Sequence, residues 1–249
     1  QHVYRAPAEG EKMIVFWRLF LAYYLADFAL YGKRFYMYGS QNPWKAAVAR
    51  GVLFFLLSLA LCWQYLDMNW SFFGITHLRG WAALFPVTMF YIFSDGWFKL
   101  NGTHKYNNTL SFLLHDIFNF FVLFLAVPFR SLYETGSFFA EKWTVFFVGL
   151  LLVTKVLGSF IYCVEKDLYG RDFPTTDEHW IMMMMRAIFF LTGLLPGWRW
   201  LFFTAACWAA VIYARKIRLM DVSPFAFYFG FGVTCVVSWL VHWRVYLNW

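Results

Sequence analysis

Charge is what this chain has least of. Asp, Glu, Lys and Arg make up 14% of its 249 residues, against about 25% in an ordinary soluble domain. So few charged groups cannot solvate the whole surface of a protein this size. A soluble domain is therefore excluded. Cysteine is equally sparse: Cys62, Cys163, Cys207 and Cys235 each stand alone within or beside an apolar stretch. Neither a disulfide framework nor a zinc or redox pair follows from that spacing. Glycine-rich phosphate loops, serine nucleophile elbows, HExxH pairs, internal repeats, heptads and low-complexity linkers are all missing. Hence no catalytic residue is assigned, and the sequence leans away from an enzyme. The opening QHVYRAPAEGEK is too polar and short for a secretory signal peptide. Residues 1–12 read as a polar tail or the remnant of a trimmed N-terminus.

What remains is apolar and aromatic: 61% of residues are hydrophobic and 24% are Phe, Tyr or Trp, including 32 Phe and 14 Trp. Such a ring content suits lipid contact, with indole and phenol groups settling at headgroup level. The apolar residues collect in about eight stretches, 13–31, 47–66, 80–98, 109–129, 143–163, 180–196, 198–214 and 223–247. A helix needs about 20 residues to cross the roughly 30 Å hydrocarbon layer. The expected fold is all-α, a polytopic transmembrane helical bundle forming one membrane domain over 13–249. The sixth and seventh stretches are short and meet at Pro196-Gly197-Trp198-Arg199, so six spans plus a short hairpin is the alternative.

The net charge is +7, but the basic residues are scattered through the loops rather than gathered on one face. That distribution speaks for topology and against nucleic acid. With eight spans, one side carries Lys33, Arg34, Lys45, Arg50, Lys99, Lys105, Lys166, Arg171, Arg215, Lys216 and Arg218. The other carries Arg5, Lys12, Arg79, Arg130, Lys142, Arg199 and Arg244. The richer side is placed in the cytoplasm and both termini outside. Lys33, Arg34 and Lys45, set among Phe35, Tyr36, Tyr38 and Trp44, are expected at anionic lipid headgroups. Sequons at Asn69, Asn101 and Asn107 are weak signals, two of them falling on the side read as cytoplasmic.

A charged residue at mid-membrane costs about 2.5–3.5 kcal/mol on insertion scales, so the few present carry the most information. They are Arg18 and Asp27 in the first stretch, Asp95 and Lys99 at the end of the third, and His115, Asp116 and Asn119 in the fourth. Lys155 and Arg186 lie in the fifth and sixth. Acids and bases are nearly balanced, which favours an intramembrane polar network of interhelical pairs. Asp95 and Lys99 share a helix face and can pair locally. Arg18 lies on the opposite face from Asp27, leaving Lys155 or Arg186 as the expected partner of Asp27. His115 and Asn119 share a face, with Asp116 about 100° away. His115 and Asp116 could join acids of other helices in a metal or proton site. With a single histidine well inside a span and zinc sites needing three or four ligands, no metal or cofactor is assigned.

Other features have plainer readings. Met182–Met185 cover every face of a helix and read as packing and lipid contact rather than soft-metal ligands. Asp177-Glu178-His179 suits a helix start, where acids complement the dipole. His242 reads as interfacial. Gly149, Gly158, Gly230 and Gly232 read as close helix contacts.

The order of polar residues resembles an uncharacterised family of bacterial integral-membrane proteins, a domain of unknown function. Its first-span Asp-Phe-x-Leu-Gln element is similar to LADFALY, with Asp27, Phe28 and Leu30 in place and Tyr31 for the glutamine. FYIFSDGWFK resembles its third-span element, keeping Asp95 and Lys99 without the histidine. FLLHDIFN resembles its Phe-Leu-Leu-Asp-Gln-x-x-His element, with His115, Asp116 and Asn119 at the polar positions. Arg186 and Lys216 fall at or near the basic residues of its helical hairpin. The resemblance implies a membrane fold and a bacterial inner membrane, with a mitochondrial or other organellar membrane as the alternative. The family's lost histidines weaken any enzymatic reading. The expected function is a structural or accessory subunit of a larger membrane complex, partnered by lipids and other membrane subunits. A small ion or proton channel or transporter, or an intramembrane metal-dependent hydrolase, are the alternatives.

Overall fold

The computed structural model describes residues 10–30, 42–72, 76–105, 108–126, 141–170, 176–216 and 223–246. Lys33, Arg34, Asn107 and Pro128 lie outside them, as do the side chains of Lys99 and Asn101. The fold is an all-α helical bundle, with eight helices and almost no strand among the described residues. They are α1 (Gly10–Tyr24), continued by a π turn over Leu25–Ala29, α2 (Pro43–Leu61), α3 (Gly80–Lys105), α4 (Asn108–Ala126), α5 (Lys142–Tyr169), α6 (Thr176–Gly193), α7 (Arg199–Lys216) and α8 (Pro224–Tyr246). A second π turn, Leu152–Val156, interrupts α5. Among the described helices α2, α4, α5 and α8 are long and apolar enough to cross a membrane. This is a membrane-type protein.

Local chemistry sets the helix ends. Pro43 and Pro224 stand at first helical positions, where a missing N–H costs nothing. Ser223 caps α8 by accepting the Ala226 N–H at 3.0 Å. Helix α5 stops at Gly170, whose φ of +61° is a left-handed conformation that glycine adopts freely.

Helix α3 is patterned for lipid rather than water. Trp81, Phe85, Met89, Phe93 and Trp97, spaced four apart, are exposed, while Thr88, Tyr91, Ser94 and Asp95 are buried. In water that arrangement would be inside out; in a bilayer it puts rings against acyl chains and polar groups against protein. The helix runs unbroken through Pro86.

The chain divides into two compact units, Gln1–Thr144 and Val145–Trp249. In the first, Leu19 to Tyr24 are all buried. Six consecutive residues cover every face, so α1 is the central helix of this unit. Its Phe16 and Phe20 meet Phe120 of α4 edge-on at 5.6 Å. Between α2 and α3 lies an antiparallel hairpin, β1 (Asn69–Phe72) with β2 (Thr76–Arg79). Four-residue strands are too short to show alternation, and the sequence reading treats this stretch as loop. The buried Trp70 indole anchors it, donating to the Tyr65 carbonyl at 3.0 Å. Gly80 lets the chain pass, since a Cβ there would sit 2.8 Å from that indole.

The second unit packs Met182 and Phe189 of α6 against Val211 of α7 and Phe227 and Phe231 of α8. Ser238 of α8 donates to the Phe190 carbonyl at 2.8 Å, and Gly193 gives the room this approach needs. Of the residues in α7 only Val211 is buried.

Candidate intramembrane ionisable site

The first unit gathers ionisable side chains from four helices. The π turn at the end of α1 is closed by Leu30 N–H donating to Leu25 O at 2.9 Å. A π turn holds one more residue than an α turn, and such turns recur at functional sites. This one aims Asp27 at Arg50 of α2, whose Nη1 lies 3.0 Å from Oδ1. Tyr91 of α3 donates its hydroxyl to the same oxygen at 3.3 Å. Arg50 Nη2 forms an ion pair with Oδ2 of Asp95, also on α3. Both Arg50 and Asp95 are buried.

Helix α4 completes the cluster. Asn119 donates to His115 Nε2 at 3.0 Å and accepts from Ser94 of α3 at 2.8 Å. His115 Nε2 stands 3.7 Å from Asp95 Oδ1, and Nδ1 stands 3.8 Å from Asp116 Oδ1. The buried Tyr23 hydroxyl donates to Asp116 Oδ1 at 2.5 Å. Asp27, Asp95, His115, Asp116 and Asn119 are thus brought together, with Tyr23, Arg50 and Tyr91 among them.

Those last three were not anticipated. In the sequence Arg50 reads as a topogenic loop residue, because the second apolar stretch starts at residue 47. Helix α2 begins instead at Pro43, which moves Arg50 two turns inside. Tyr23 and Tyr91 read as lipid-contact rings; the available signal is a phenol hydroxyl in mid-span facing an acid. The cation that Asp27 takes is Arg50, not the expected Lys155 or Arg186. Asp95 likewise takes Arg50; the side chain of Lys99 lies outside the described residues.

Arg18, on the face of α1 away from Asp27, makes a separate contact. Its Nη2 pairs with Glu141 Oε1 at 2.6 Å, and Nη1 donates to the Leu61 carbonyl at 2.7 Å. The guanidinium also lies over the Tyr65 and Trp143 rings, at 5.0 and 5.6 Å.

Lys155 and Arg186 belong to the second unit. Lys155 sits in the π turn of α5 with Nζ 5.1 Å from the Trp180 ring centroid. Arg186 is buried, its Nε donating to the Met182 carbonyl at 3.3 Å, while Nη1 has no hydrogen-bond partner among the described residues. Gly158 makes room for it: a Cβ there would lie 3.3 Å from Nη2. A cavity of about 240 Å³ in this unit is lined by Phe189, Trp200, Cys235 and Trp239 among others, with no Asp, Glu, Lys, Arg or His among its described lining residues. Lys45, in the first turn of α2, is exposed.

Chemically, the first-unit cluster sets carboxylates, an imidazole and phenols side by side, each within 4 Å of another member. Asp27, His115 and Asp116 each present a ligand atom, all within 4.8 Å of one another. The adjacency of His115 and Asp116 is legible in the sequence; the approach of Asp27 from α1 is not. No protein-family model, curated protein or solved structure matches the chain.

Proposed function

We propose that this chain is an integral-membrane protein that takes up and releases cations, protons included, at the ionisable cluster of its first unit, as a small transporter or channel would. One observation carries the reading. Asp116 is an acid in the interior of a membrane helix whose described partners are a phenol and an imidazole, with no guanidinium or ammonium. A network that only fastened helices would pair each acid with a base, because an unpaired charge bears the full desolvation cost. An acid set against protonatable neutral groups is suited instead to a charge that comes and goes. The π turn that aims Asp27 into the same cluster supports this reading, and a bacterial inner membrane is its proposed setting. The test is flux in proteoliposomes under an imposed proton or cation gradient. Wild-type flux, lost in Asp116→Asn and Asp27→Asn with the fold intact, is the expected result; equal flux in wild type, variants and empty vesicles would overturn it.

A second reading, an accessory subunit of a larger membrane assembly, is favoured by α7. Leu201, Phe202, Phe203, Ile212 and Tyr213 all face outward there, a surface that either lipid or another helix can cover. Mild-detergent extraction from native membrane, followed by mass spectrometry of whatever co-migrates stoichiometrically, decides between the two.

A further inference from the structure

Resting on the reading of this cluster as a cation site, we propose that Asp27, His115 and Asp116 hold a divalent first-row cation of the zinc or manganese class. The geometry comes first. Their ligand atoms lie within 4.8 Å of one another, whereas ligands on a tetrahedral zinc, with bonds of about 2.0–2.2 Å, stand about 3.3–3.6 Å apart. Binding would draw these atoms together by about 1 Å, the difference between 4.8 Å and the spacing on a zinc ion. His115 and Asp116 are consecutive on α4 and diverge by about 100°, so ring and carboxylate flank a point that Asp27 reaches from the π turn of α1.

Each ligand is also held from behind, as metal ligands are. Tyr23 and its hydroxyl fix Asp116 through Oδ1. Arg50 and Tyr91 fix Asp27 through Oδ1. Asn119 and Asp95 flank His115 Nε2. On both carboxylates the second oxygen is left for an ion, and on the ring Nδ1 is the nitrogen toward Asp116. Binding a metal through Nδ1 moves the ring proton to Nε2, beside the Asp95 carboxylate, and turns the Asn119 amide so that its oxygen accepts from Nε2 and its nitrogen donates to Ser94 Oγ, whose hydroxyl keeps its bond to the Tyr91 carbonyl. A carboxylate behind the ring orients an imidazole on a metal.

Charge points the same way. Arg50 reaches Asp27 and Asp95, but Asp116 has no cation among its described partners. Two carboxylates and a neutral imidazole neutralise a 2+ ion and leave Arg50 to Asp95. Two oxygens with one nitrogen suit zinc or manganese, and the absence of sulfur from the set disfavours Cu(I). Three protein ligands leave a fourth position for water or an exchanging group.

The experiment uses the full chain, purified in mild detergent, stripped with chelator and dialysed separately against Zn²⁺ and Mn²⁺, with metal analysis of the retentate. The expected result is about one equivalent of one of these ions per chain. Asp116→Asn and His115→Gln should abolish it, and Tyr23→Phe, which keeps all three ligands, should weaken it about 10- to 100-fold. Lys155→Met should retain it. Circular dichroism and elution volume report folding; should Asp116→Asn not fold, Tyr23→Phe carries the test. Folded wild type that binds neither ion, or equal binding in wild type, Asp116→Asn and His115→Gln, would overturn the proposal. Flux is measured in the same chelated preparations. Proton flux without metal binding would sink the metal site and leave the transport reading standing; metal binding without flux of any cation would do the reverse.

Discussion

Among the described residues each unit contains one π turn, and the two turns carry charges of opposite sign: Asp27 at the end of α1 and Lys155 within α5. The surroundings differ. Asp27 meets a guanidinium and a phenol from two other helices and joins a cluster that extends to α4. Lys155, half-buried, rests over an indole, and Arg186, which is buried, has a backbone carbonyl and the niche of Gly158. The first unit spends several helices holding charge with charge. The second accommodates its cations with rings, carbonyls and space. A buried ion held by an ion is lost when either partner goes; one held by soft contacts is replaceable.

That contrast is open to breaking by mutation. Arg50→Met removes the guanidinium that Asp27 and Asp95 both use. It should cost about 3–5 kcal/mol, the usual penalty for leaving one half of a buried pair, in denaturant unfolding followed in detergent. A loss below about 1 kcal/mol would mean the cluster does not depend on charge pairing. Tyr23→Phe deletes a hydrogen bond to a buried acid and should cost about 1.5–3 kcal/mol by the same measurement. Arg186→Met is the sharpening counterpart. Losing a buried cation with an unsatisfied N–H should leave stability within about 1 kcal/mol of wild type or raise it. Should Arg186→Met prove as damaging as Arg50→Met, the two units are alike and the contrast fails. The smallest effect is expected at Gly232 of α8, where an added Cβ meets nothing within 4 Å. Gly232→Ala should stabilise by about 0.5–1 kcal/mol through helix propensity alone, read as a rise in melting temperature.

Helices are legible where the bilayer imposes a length and a polarity that no loop imitates, and 109–129 shows both. The hairpin around Trp70 is not, since a four-residue strand has no periodicity to read. At the site, spacing alone placed His115 and Asn119 on one face, and they are bonded. Spacing within one helix does not fix a partner on another. In the sequence Lys155 and Arg186 are the spare intramembrane bases for Asp27, while Arg50 lies close to the end of an apolar stretch that starts at residue 47 and so reads as a loop residue. A basic residue near the end of an apolar stretch is ambiguous between snorkelling to headgroups and turning inward; only the Asp27 and Asp95 carboxylates, arriving from α1 and α3, decide it. Tyr23 was hidden among so many rings for the same reason: abundance of aromatics masks the one hydroxyl that matters.

The outward stripe of α3 begins and ends in tryptophan. Trp81 and Trp97 are sixteen residues apart, about 24 Å along a helix rising 1.5 Å per residue. Indoles seek the boundary between acyl chain and headgroup, so this pair acts as a ruler for the lipid it floats in. Membranes differ in thickness by several ångströms, and a helix with fixed anchors meets a mismatch by tilting or by deforming the lipid around it. Because Asp95 sits two residues before Trp97, the same anchor sets the depth of the buried cluster. In a thicker membrane, reconstituted from longer acyl chains, the ionisable groups would be drawn further from the aqueous phase on that side, and access to them would slow with chain length while the fold stayed the same.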